Sequence, residues 1–299
     1  MYGRKDLTES LASSGITVTP GIYDGISARL VEQSGFTSAF LSGAGVSNSR
    51  LAQPDIGFLT LSEIADQTRH LTSAVDIPIW VDADTGYGNA VNVYHTVRTL
   101  ANAGAAAVMI EDQEWPKRCG HMEGKSVIPF DEAVAKIKAA CDARDEYAPE
   151  LLIKARTDAA GTHSTEEAIS RLNAFADTGA DIVFADALSS KEEIARVAEA
   201  VSGAYLAVNM GFGIRDRPTT PLIPAKKLEQ IGVDAVVYPR LITAAAGMGM
   251  QNALQSLKRA VDTREYYEEP ELVLDWDSYM DLMGADETMR LERRYAVDE

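Results

Sequence analysis

A thiol, an imidazole and several cations crowd one short stretch. EDQEWPKRCGHMEGK, residues 111–125, sets Cys119 between Arg118 and Gly120, with Lys117 before it and His121 after. Cations around a cysteine favour thiolate and make the group usable as an acid or base near neutral pH. Gly120 and Gly124 would let such a loop close over a ligand. The other cysteine, Cys141, falls in an Ala-rich helical pattern and reads as a buried structural thiol. Cys119 is therefore a candidate catalytic residue, with His121 beside it.

A second group of chemistry-bearing residues sits at the ends of apolar runs. IPIWVDAD (77–84) ends in Asp82 and Asp84, AAAVMIEDQ (105–113) carries Glu111 and Asp112, and LLIKARTD (151–158) carries Lys154, Arg156 and Asp158. On a strand, residues two apart share a face, so Asp82 and Asp84 point the same way, as do Lys154 and Arg156. Hard carboxylate oxygens without soft ligands suit Mg2+ or Mn2+. The alternative is that these acids cap backbone amides or pair with Arg156 and Lys154. An inward Arg156 either pairs with those acids or neutralises a bound anion or enolate.

The elements that must position these groups come as an alternation. Apolar runs at 15–21, 37–43, 77–84, 105–113, 151–158, 181–187, 204–210 and 234–240 are separated by amphipathic helical segments. Thr165 reads as the start of one such helix, with the acids after it off the capping-box spacing. Gly104, Gly179 and Gly232 sit where helices should stop. Eight β-then-α units without a composition break predict a single (β/α)8 barrel, whose function gathers at the C-terminal strand ends. Read in order, those ends give Ser42-Gly43-Ala44, Asp82 and Asp84, Glu111 and Asp112, Arg156 and Asp158, Asp186, Asn209 and Arg240. The barrel is expected over 1–262, including a long helix after strand eight. A helical tail over 263–299 then packs on its own or a neighbouring subunit.

Bulk properties narrow the classes. A formal net charge of −17 argues against nucleic acid and anionic membranes, both of which need basic patches. The two cysteines give no disulfide framework, and the four histidines lack zinc-ligand spacing. No run is long enough to span a bilayer and the start lacks the apolar segment of a signal peptide, so a cytoplasmic protein is expected. GAGVSN, GYGNAV and GFGIRD each lack the third glycine of a dinucleotide fingerprint. SGAG after the second strand can still present N–H groups to a carboxylate or phosphate.

VDADTGYGN, IEDQ, PKRCGHMEGK, KARTDA and VNMGFG…TTPL, in this order, resemble the isocitrate lyase/phosphoenolpyruvate mutase superfamily over roughly residues 15–265. The resemblance implies a barrel with a helix swapped between subunits in a dimer of dimers. It also implies a Mg2+ site that chelates a small 2-oxo or 2-hydroxy carboxylate. Carried over, Asp82, Asp84 and Glu111 match the metal-site acids, and Ser42, Gly43 and Ala44 the segment that holds the substrate carboxylate. Cys119 matches the general acid that protonates the departing carbanion, and Arg156 the arginine beside the substrate. Asp55 matches the phosphoryl nucleophile of mutases. Gly120, Asp186 and Asn209 complete the expected substrate shell, with Glu111 and His121 beside Cys119 and Arg156 in the catalytic set.

Three departures bear on substrate. The superfamily's isocitrate and methylisocitrate lyases resemble one another in a Glu where this chain has Asp186 and a Tyr where it has Phe40. Methylisocitrate lyases also carry an Arg where this chain has Ala244. Arg215, Arg217 and Arg264 would supply other cations. The expectation is a Mg2+-dependent carbon–carbon lyase acting on a substituted malate, such as a 2,3-dialkylmalate or a methylisocitrate-like acid. Carboxyphosphonoenolpyruvate phosphonomutase and oxaloacetate hydrolase chemistry are the alternatives on the same site, and a non-catalytic metal-binding barrel is the reading from another class.

Overall fold

The computed structural model describes residues 3–13, 15–119, 124–211, 220–263 and 269–296. Eight parallel strands close on themselves in sequence order: β1 (Thr17–Ile22), β2 (Ala39–Leu41), β3 (Ile79–Asp82), β4 (Ala107–Glu111), β5 (Leu152–Thr157), β6 (Ile182–Ala185), β7 (Tyr205–Asn209) and β8 (Ala235–Tyr238). All eight apolar runs became strands. Closure is made by β1 on β8, with Thr17 opposite Ala235 and Pro20 opposite Tyr238.

The helices begin and end where the backbone chemistry requires. Asp24, Thr60 and Asn89 each accept from amides of the first helical turn, and in each a capping box is complete. The helix expected to start at Thr165 is capped instead by Ser164, whose hydroxyl accepts from the Glu167 amide at 3.1 Å. With Ser164 as cap, Glu167 falls on the capping-box spacing that a start at Thr165 had hidden. Gly104, Gly179 and Gly232 follow helix ends with φ of 96°, 107° and 90°, a left-handed turn that favours glycine.

Side-chain parity divides the core into two layers. Leu41, Val81, Ile110, Ile153 and Val183 join the cluster packed against the helices. Their strand neighbours Phe40, Trp80, Met109, Leu152, Phe184, Ala207 and Val237 form a second cluster. That second set fills the barrel interior, since alternate residues of a barrel strand face inward. Two residues further along the same inward rows stand Ser42, Asp82, Glu111, Asp186 and Asn209, with Arg156 two steps up the row of Leu152.

The chain divides into two compact units, Met1–Ile242 and Thr243–Glu299. The expected long helix after β8 is Leu241–Thr263, followed by Trp276–Leu282 and Ala285–Tyr295. No helix among the described residues is long and apolar enough to cross a membrane.

Candidate active site

The C-terminal strand ends enclose a small, mostly polar cleft with a cavity volume of about 50 Å³. Ser42, Ala44, Asp55, Asp82, Cys119 and Arg156 line it, with Asp186, Asn209 and Arg240 on the remaining side and Phe40 and Met109 on its floor. Residues from β2, β3, β5, β6 and β7 thus meet a thiol carried by the loop after β4. The expected Gly120 and His121, like Arg215, Arg217 and Arg264, lie outside the described residues.

Of the readings the sequence offered for these acids, the capping of backbone amides is seen at Asp82. Asp82 Oδ2 accepts from the Gly43 amide at 3.2 Å and Oδ1 from the Asp84 amide at 3.1 Å. Glycine at 43 suits this approach, since a Cβ there would stand 3.0 Å from Asp82 Oδ2 and press that carboxylate aside. Ser42 caps the helix Gly43–Leu51 by accepting from the Gly45 amide, which aims that helix N-terminus at the cleft. Asp84, in the left-handed region at φ 49°, is only 2 % exposed. Burial, opposed by Lys117 and reinforced by Asp82, pushes its carboxyl up to about 7.

Lys117 is the residue whose role sequence reasoning missed. It was seen as a neighbour of Cys119, yet its ammonium is buried against Asp84 Oδ1 at 2.7 Å and pairs with Asp55. Burial opposes that charge, but Asp84, Glu111 and Asp55 together hold the ammonium well above its usual range. The Cys119 amide donates to the Asp55 carbonyl at 3.1 Å, so the thiol-bearing loop is moored to Asp55 twice.

Arg156 is saturated by protein carboxylates. Its Nε and Nη2 donate to the two oxygens of Asp158 at 2.8 and 3.0 Å, Nη2 also reaches Asp186 at 3.2 Å, and Nη1 lies 3.1 Å from Glu111 Oε2. Lys125 adds 2.7 and 3.3 Å contacts to Asp158 and Asp186. Below it Asp112 accepts from Thr157 Oγ1 at 2.7 Å and from the Asp158 amide at 2.9 Å, and pairs with Arg171 at 3.0 Å. Arg171 comes from the helix Thr165–Asp177, on the same side as Ala168, Leu172 and Phe175. An arginine on an apolar helical face was the signal that could have found it.

Whether these acids suit a metal turns on what they leave free. Glu111 Oε1 is buried without a hydrogen-bond partner, and burial holds that carboxyl well above its usual range despite Arg156. No three His, Cys, Asp or Glu among the described residues converge as a ready ligand cage. The hard oxygen left free at Glu111 fits Mg2+, which keeps several waters and takes one or two carboxylates directly.

The chain matches the phosphoenolpyruvate phosphomutase family over residues 7–258. It belongs to that family. Among its relatives in the family, 2,3-dimethylmalate lyase of Eubacterium barkeri is 37% identical over 291 residues, covering 97% of each chain. A 2-methylisocitrate lyase of Aeropyrum pernix is 44% identical over 233 residues, covering 78% of this chain and 72% of the relative. The family fold is shared with oxaloacetate acetylhydrolase in complex with 3,3-difluorooxalacetate, at TM-score 0.89 and 30% identity over 98% of this chain and 96% of the other. Phosphonopyruvate hydrolase, in a complex with oxalate and Mg2+, superposes at TM-score 0.83 with 26% identity over 99% of each.

Proposed function

We propose that this chain is a Mg2+-dependent carbon–carbon lyase that cleaves a substituted malate-type 2-hydroxy acid into a 2-oxo acid and a carboxylate. The observation that carries this reading is the placement of the Cys119 thiol in one cleft with Asp82, Arg156 and Asp186. Relatives named as lyases of this substrate class support it.

Asp84 and Asp82 would hold the metal, with Glu111 within the same acidic shell. When bound, Mg2+ supplies Lewis-acid polarisation of the 2-hydroxyl and its neighbouring carboxylate. Lys117 fixes Asp84 from behind, and Arg156 locks Glu111, Asp158 and Asp186 so that the wall does not reorganise as charge develops. The helix N-terminus at Ser42–Ala44 faces the substrate's chelating carboxylate. Cys119 donates its thiol proton to the carbon released by bond cleavage.

A dialkylmalate is the favoured substrate, with a methylisocitrate-like acid second within the same class. Hydrolysis of oxaloacetate is the second reading, favoured by the shared fold with oxaloacetate acetylhydrolase. Assembly as a helix-swapped dimer of dimers is supported by the apolar side chains of Met248, Met250, Leu254 and Val261, all exposed on the helix Leu241–Thr263.

The test is a Mg2+-dependent 2-oxo acid release assay on 2,3-dimethylmalate, methylisocitrate, isocitrate and oxaloacetate, with Cys119→Ser and Asp84→Ala alongside. Release from one hydroxy acid, lost in both variants, is the expected result. Oxaloacetate turned over to oxalate and acetate selects the hydrolase, and silence across the panel removes the lyase reading.

A further inference from the structure

Among the described residues, the cations Lys117, Lys125 and Arg156 around the cleft are all held by protein carboxylates. Lys117 is paired with Asp84 and Asp55, Lys125 with Asp158 and Asp186, and Arg156 with Glu111, Asp158 and Asp186. Lys154 lies behind the floor, ringed by Phe40, Trp80 and Phe184, and does not line the cleft. Arg240 lines it from just beyond β8 and makes only neutral contacts: Nη1 is 3.1 Å from Cys119 Sγ and Nη2 is 3.5 Å from Asn48 Oδ1. Among the described residues it is the one lining cation with no carboxylate within ion-pair distance.

A partly buried guanidinium in an acidic protein, turned to a ligand cleft and left without a counter-charge, is an anion receptor. We infer that Arg240 binds the distal carboxylate of the substrate, the one on the fragment that Cys119 protonates, and so selects di-acids over mono-acids. The identity of that fragment rests on the lyase reading. The receptor itself does not.

The contact with Cys119 links recognition to the proton step. In a malate-type acid the distal carboxylate is bonded to C3, the carbon that receives the proton. A carboxylate seated on Arg240 therefore brings C3 to the thiol that the same guanidinium touches. Cleavage of C2–C3 leaves its electron pair on C3 and its carboxylate, whose enediolate form carries added charge against Arg240. The S–H bond then breaks as the C3–H bond forms, leaving a thiolate beside the guanidinium. The hydroxyl proton passes to solvent and a solvent proton restores the thiol, so the reaction is balanced.

Malate and lactate separate this role from all others, because both carry the 2-hydroxy carboxylate and only malate carries the distal one. Their binding in Mg2+ is read by calorimetry on the wild type, Arg240→Gln and Arg240→Lys. The wild type should bind malate at least about tenfold more tightly than lactate, as expected for a charge-assisted bidentate contact. Arg240→Gln should bring the two affinities within roughly twofold of each other by weakening malate alone, and Arg240→Lys should retain part of the preference. Equal weakening of both ligands by Arg240→Gln, or no malate preference in the wild type, overturns the assignment. A wild type that prefers malate, with that preference lost in Arg240→Gln, yet cleaves no hydroxy acid sustains the receptor and removes the lyase reading.

Discussion

The Lys154 ammonium lies 4.8 Å from the centroid of the Phe184 ring, inside the barrel, with no hydrogen-bond partner. Phe40 and Trp80 close the cage at 5.3 and 5.4 Å. Burial, with help from the nearby Arg156 charge, pulls the amine down to about 7 from 10.5. Between those two pH values the unfolded chain holds the extra proton, so stability rises with pH across that window and the full penalty stands below pH 7. Lys154→Met should therefore be more stable than the wild type by about 1–4 kcal/mol near pH 6.5. Urea unfolding should show the difference shrinking toward pH 10, and a pH-independent difference would falsify this account.

Asp112 ties β5 to the helix Thr165–Asp177 through Thr157, Asp158 and Arg171, all buried. Asp112→Ala strands the Arg171 charge and should destabilise the fold by about 3–5 kcal/mol. The exposed pair Lys138–Asp142 is the internal comparison, and Lys138→Ala there should leave the denaturant midpoint almost unchanged. Denaturant midpoints of the two variants decide the matter, and similar values would remove the network's structural role.

The two thiols should separate cleanly. Cys119 is half-buried at the cleft, whereas Cys141 is 3 % exposed and burial pushes it up to about 11. One equivalent of iodoacetamide should label Cys119 and abolish turnover, while Cys141→Ser stays active. Cys119→Ser should lower kcat by about 10²–10⁴-fold, the usual range for a lost proton donor. Mass spectrometry locates the label, and rapid alkylation of Cys141 would contradict the burial seen here.

Magnesium demand should depend on pH through Asp84. With its carboxyl held at about 7, protons compete with the metal below that pH. The Mg2+ concentration for half-maximal activity should rise as pH falls from 8 to 6, by roughly tenfold per unit once Asp84 is mostly protonated. Asp84→Asn should remove this pH dependence along with most of the metal affinity. A flat profile in the wild type would place the metal on other groups.

How far the site was legible follows from how local its signals are. Each strand is a continuous apolar run, and its inward row ends at a polar residue two positions further on, so Ser42, Asp82, Glu111, Arg156, Asp186 and Asn209 could be placed by counting. Cys119 stood out because cations surround it in sequence. Lys117 did not, because its partners Asp84 and Asp55 lie 33 and 62 residues away in sequence, and no local pattern encodes such a pairing. The pairing of Asp112 with Arg171, 59 residues apart, stayed hidden for the same reason, although the arginine itself stood out on an apolar helical face. Arg240 was visible as a strand-end residue, but only the folded cleft shows that, of the described cations lining it, this one has no carboxylate partner.

The pairing of Thr17 with Ala235 has a consequence for how the protein is made. During synthesis the first strand waits, its β8-facing edge unpaired, until nearly the whole barrel sequence has emerged. Such late, long-range pairing is slow and leaves nascent chains prone to association. The closing strand also delivers Arg240 two residues beyond its end, so closure and arrival of the anion receptor are one event. A ribosome-stalled chain released before residue 235 should therefore recruit chaperones and show no preference for malate over lactate.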